Sequence, residues 1–165
     1  DQWEPVGRHN ARAGSQLAFG EYVDAQYAIE KADVILSLDA DFLCTGASGI
    51  RHSRAFASRR RLEGDQAQLN RLYAVESDPT NTGSRADHRL PLKASDSEAF
   101  ARAVASRVGV AGVGEATLAG AAMRWIDPLV SDLQASKGRS LVIAGDGQPA
   151  VVHALAHAMN DTLGN

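Results

Sequence analysis

The stretch Ala32-Asp33-Val34-Ile35-Leu36-Ser37-Leu38-Asp39-Ala40-Asp41-Phe42-Leu43 decides how this chain is read. Val34, Ile35, Leu36 and Leu38 form a near-continuous apolar run, the pattern of a parallel strand covered on both faces. The run ends in two carboxylates, Asp39 and Asp41. Ligands of open α/β sheets bind beyond the carboxyl ends of such strands. A site, or the remnant of one, is therefore expected here first.

Working outward, two further segments read as strands: Arg71–Glu76 and Ser140–Gly145. His88–Leu92 is a weaker one, and Pro91 places it at an edge or a strand end. Helical patterns lie between them. Gly49–Leu62 carries Ile50, Phe56 and Ala57 among arginines. Ser95-x-x-Glu98 has the spacing of a capping box and predicts a helix to about Arg107. A long helix is expected over Ala116–Ala135, bent at Pro128. Another is expected over Pro149–Leu163, with proline at the first helical position and Gly164 as its stop. The glycine-rich stretch Val108–Gly114 reads as a connector. Strands alternating with helices predict a three-layer α/β/α, Rossmann-like, mostly parallel sheet, and residues 1–165 are read as one domain.

The bulk properties narrow the function classes. The chain has 165 residues, 44% hydrophobic and only 5% aromatic, so its core must be aliphatic. A net charge of −3 argues against general nucleic-acid affinity. No apolar run reaches the roughly 18 residues of a membrane span, so direct insertion is not expected. A single cysteine, Cys44, excludes an internal disulfide and a four-cysteine cluster within this chain, and reads as a small, partly buried residue. Both ends read as internal, and the chain is expected to be part of a longer subunit.

Several constellations carry candidate chemistry. Asp39 and Asp41 leave the first strand two residues apart and would share a side if the extended backbone continued. Paired carboxylates suit a ribose, a metal or a substrate amine; the plainer reading is that they cap the next turn through backbone N–H groups. The small-residue loop Cys44–Gly49 suits close approach to a phosphate but lacks a lysine or G-x-G-x-x-G spacing. Glu76 and Asp78 end the second strand, where an acidic residue often holds a ribose hydroxyl; Asp78-Pro79 also reads as a turn. Gly145-Asp146-Gly147 precedes a helix N-terminus, though Asp146 would repel an anion. His153 and His157 share a helix face at metal-ligand spacing, with no third ligand evident. Arg51, Arg54, Arg59, Arg60 and Arg61 read as a solvated face paired with carboxylates, or as a docking face. No G-x-S-x-G elbow marks a nucleophile.

The run from Ala32 to Leu43, then Phe56–Arg61, then Asn70–Leu92, together resemble the molybdopterin oxidoreductases. The likeness is greatest to the iron–sulfur subunit of bacterial alternative complex III, a quinol:electron-acceptor oxidoreductase. Trp3-Glu4-Pro5, Leu17–Glu21 and the closing Met159–Asn165 fit the same pattern, which is weakest over 108–135. The resemblance implies a degenerate dinucleotide site at Asp39, Asp41, Glu76, Asp78 and Thr80. Thr80 stands where catalytic members place an arginine after aspartate-proline, and Leu38–Asp41 replaces their glycine-asparagine-proline turn. Added carboxylates oppose a pyrophosphate. The implied role is a cofactor-free scaffold with no catalytic or metal-binding residue of its own. Iron–sulfur clusters would sit elsewhere in the parent, whose other domains and subunits would be the partners. The parent would lie on the periplasmic side of the bacterial inner membrane. Two alternatives stay open: a catalytic molybdopterin-dinucleotide domain, or a generic nucleotide-binding module.

Overall fold

The computed structural model describes residues 7, 9–62, 69–114, 116, 118 and 120–165; Trp3-Glu4-Pro5 lies outside them. Among the described residues four strands form one sheet: β1 (Val34–Leu38), β2 (Arg71–Glu76), β3 (His88–Pro91) and β4 (Ser140–Ala144). Their order is β3-β2-β1-β4 and every pairing is parallel. The helices are α1 (His9–Phe19), α2 (Gly49–Ser58), the single turn α3 (Asn81–Ser84), α4 (Ser97–Val108), α5 (Ala121–Ala135) and α6 (Ala150–Leu163). The expected three-layer parallel α/β architecture is the one observed.

Side chains alternate across β1 and divide the core in two. Val34, Leu36 and Leu38 join Tyr73, Val75 and Val142 against α4, α5 and α6. Ile35 joins Leu72, Leu141 and Ile143 on the other face, beneath Phe56 of α2 and Phe42. Both faces are covered, which is why β1 reads as a run rather than an alternation.

The two sheet edges are handled differently. Pro91 sits on β3, as its missing N–H requires of an edge. On β4 the outward N–H and C=O of Val142 pair with the carboxamide of Asn160, both at 2.8 Å. Asn165 Oδ1 accepts from Ser140 N at 3.1 Å. These two asparagines occupy the positions a fifth strand would take, and so block further pairing. Asn160→Ala is expected to cost about 1–2 kcal/mol, because two backbone groups lose partners. The urea midpoint checks this, and the exposed edge should also raise aggregation at high concentration.

Four expectations need correction. Ser95 hydrogen-bonds Asp96, and α4 starts only at Ser97 after a 3-10 turn, so no capping box forms. Pro149 is the N-cap of α6 rather than its first residue. The fifth helix begins at Ala121, after Gly120, with Pro128 inside it. Cys44 is exposed, not partly buried.

Candidate functional site

Register sets the site. Leu38 lies opposite both Val75 and Ala144, so the loops after β1, β2 and β4 leave the sheet at one level. The sheet order turns back on itself between β1 and β4, the crevice where such folds bind ligands.

Asp39 does not continue the strand. It has φ of 55°, the left-handed conformation tolerated best by aspartate and asparagine among non-glycine residues. This turn separates Asp39 from Asp41, and the two carboxylates do not form a pair. Asp39 Oδ1 accepts from Ser77 N at 3.0 Å, and Oδ2 accepts from Gln148 Nε2 at 2.9 Å. One carboxylate thus ties the β2 loop to the β4 loop. Asp41 Oδ1 instead accepts from Thr82 N and Thr82 Oγ1, both at 2.8 Å. It caps the first turn of α3 from across the chain, and Thr82 Oγ1 in turn accepts from Leu43 N at 3.1 Å.

Glu76 is 3% exposed and needs partners for its charge. Thr80 Oγ1 donates to its Oε2 at 2.6 Å, and the Arg89 guanidinium pairs with Oε1. The same Thr80 hydroxyl accepts from Gly83 N at 3.0 Å, capping α3. Gly83 leaves the room this needs, because a Cβ there would fall inside the Glu76 carboxylate. Asp78 stays exposed in the loop and joins none of these contacts.

A pyrophosphate does not fit these residues. It needs backbone donors and room, but the N–H groups of Ser77 and Thr82 already donate to Asp39 and Asp41. At the switch point a Cβ on Gly145 would meet the Asp39 carbonyl closer than the 3.0 Å real contacts keep, so these two loops touch through backbone. The carboxylates around that contact would repel a second negative charge.

Several of the remaining candidates make structural contacts. In the loop 44–49, Gly49 packs on the Cys44 carbonyl. Arg59 pairs with Asp33, Arg60 with Asp87, and Arg51 bonds Gln26. His157 lies against the Phe19 ring with centroids 4.9 Å apart. Among the described residues no group of three His, Cys, Asp or Glu side chains could hold a metal ion. No helix among them is long and apolar enough to cross a membrane.

His153 is 6% exposed, and burial holds its pKa below 6.5. Asp146 and the carbonyls of Gly145 and Gln148 oppose that shift, while His157 reinforces it. His157 is lowered by burial too. A base with a depressed folded pKa binds fewer protons folded than unfolded, so stability present above pH 6.5 is lost as the pH falls below it. Asp87 and Asp132 shift in a different window. Their burial is outweighed by hydrogen bonds from Arg60 and from Tyr73 and Arg71, which holds them below 3.8. The urea midpoint should therefore drop between about pH 7 and pH 5, and His153→Leu should flatten that drop whatever it does at neutral pH.

These features define a parallel three-layer α/β protein whose strand-end carboxylates are bound to its own loops. No family model matches the chain, and no curated protein matches it either. Of the expected site residues, Asp39, Asp41, Glu76 and Thr80 gather at the strand ends, while Asp78 stands apart. Ser77, Thr82, Arg89 and Gln148 complete the set and had not been singled out. Thr82-Gly83 offered a faint signal, being small residues just after a turn; Gln148 offered none.

Proposed function

We propose that this chain is a scaffold domain of an iron–sulfur electron-transfer subunit in a membrane respiratory complex, built on a molybdopterin-oxidoreductase-like fold that carries no cofactor. One observation carries the reading. Asp39 stands at the switch point and spends both carboxylate oxygens on the neighbouring loops, through Ser77 and Gln148. Glu76 likewise spends both oxygens, on Thr80 and Arg89, and Asp41 commits its Oδ1 to Thr82. A strand-end surface of this kind holds loops in register. Its role in the parent is to position neighbouring domains, with clusters elsewhere carrying the electrons and partner subunits docking around it on the periplasmic side.

The test is mutational. In the full-length subunit, Asp39→Asn and Asp41→Asn should each lower stability by about 1 kcal/mol through weakened hydrogen bonds. Quinol oxidation by the assembled complex should stay within about twofold of wild type, since an asparagine still spans the loops and no cofactor charge is involved. Loss of turnover with folding and assembly intact would instead favour a catalytic dinucleotide domain.

A further inference from the structure

A groove of about 760 Å³ runs between α2 and α3 on the face opposite α4–α6. Leu43, Phe56 and Ala57 give it an apolar floor, while Asn81, Arg60 and Arg85 form its polar margin. Among the described residues no Asp or Glu lines it, in a chain whose net charge is −3. Its walls are fixed before anything binds. Ser53 Oγ donates to the Leu43 carbonyl, and Leu43 N donates to Thr82. Arg60 is tied to Asp87 and to the Asn70 carbonyl.

The other charges are not neutralised in this way. The guanidinium groups of Arg85, in the groove, and of Arg54, on the adjoining stripe of α2, have no hydrogen-bond or ion-pair partner among the described residues. At helical spacing, Arg54 follows Ile50 by one turn, and Ile50 is 91% exposed. An exposed large apolar residue beside an apolar floor and unpaired cations is an unusual surface for a chain of this charge.

We propose that the α2–α3 groove docks an acidic segment of a partner subunit, its carboxylates meeting Arg85 and Arg54 and an apolar side chain seated on the floor of Leu43, Phe56 and Ala57. The proposal rests on the scaffold reading for the identity of the partner as a subunit. Charge complementarity selects the occupant: a basic or neutral strand would leave both arginines unpaired, and the groove offers no stacking platform of exposed rings for nucleic acid. Asn81 and the exposed Cys44 add donors at the margin.

The experiment places a photoreactive benzoylphenylalanine at Asn81, or at exposed Ala135 of α5 as a control, in the full-length chain within its native assembly. Irradiation is followed by sequencing of the joined peptides. The expected result is one link from position 81, to a segment of another subunit rich in Asp and Glu, with none from position 135. Arg54→Glu with Arg85→Glu should cut that yield about tenfold, as reversal of complementary charge does. A link to a segment without clustered carboxylates, a link back to the same chain, no link, or a yield unchanged by charge reversal would each overturn the proposal. Metal and pterin analysis of the same preparation separates the two ideas. A metal-free assembly without the link defeats the docking inference alone, and bound molybdopterin defeats the scaffold reading whatever the link shows.

Discussion

Gly145→Ala is expected to destabilise the chain by about 3 kcal/mol, measured as a shift in urea midpoint with unchanged slope. The new Cβ would overlap the Asp39 carbonyl and crowd the Ala40 Cα. Both are backbone atoms, so no side chain can swing aside. Relief requires the β1 and β4 loops to part. That movement strains the Gln148–Asp39 hydrogen bond and the Gly145 N to Leu38 O bond of 2.9 Å. Gly147→Ala is the internal control. Nothing lies within 4 Å of its Cβ position, so its effect should stay within about 0.5 kcal/mol. If both variants cost the same, a backbone conformation in the 145–147 turn that disfavours any side chain, rather than contact with the β1 loop, would be the cause.

The second large effect is expected at Glu76. Glu76→Ala removes a side chain that is 4% exposed and takes an acceptor from both Thr80 and Arg89. Breaking a fully buried ion pair costs about 3–5 kcal/mol, but the Arg89 side chain is 30% exposed and regains water, so about 2–3 kcal/mol is expected. Arg89→Met should recover part of the loss when combined with Glu76→Ala, since no unpaired cation then remains. The two substitutions should therefore be clearly non-additive in a double-mutant cycle. Additive costs would mean that Glu76 acts through Thr80 and α3 alone.

The strands were legible because their physics is local. Val34–Leu38 is apolar without interruption, as a strand covered on both faces must be, and Pro91 placed β3 at an edge. Helix α1 was not legible. Its buried residues are Gly14 and Ser15, and a Cβ on Gly14 would meet Ala150 and His153 of α6. It packs by close backbone approach, so it lacks the large apolar stripe that marks a helix. The capping box failed because Ser95 found a nearer partner in Asp96.

The candidate site divides in the same way. The apolar runs place Asp39, Asp41 and Glu76 at the ends of β1 and β2, because register follows from hydrophobic pattern. Their partners could not be read, since Thr82 lies 41 positions from Asp41 and Gln148 lies 109 from Asp39. Nor does a sequence announce that Asp39 turns left-handed and breaks the carboxylate pair. Whether such groups bind a ligand or one another is decided by those long-range contacts.

The most direct measurement is elemental analysis with pterin fluorescence on the full-length subunit purified from its own host. The account predicts iron, far less than one molybdenum or tungsten per chain, and no pterin emission. Near-stoichiometric molybdenum or tungsten with pterin would contradict it and make the strand ends a working dinucleotide site.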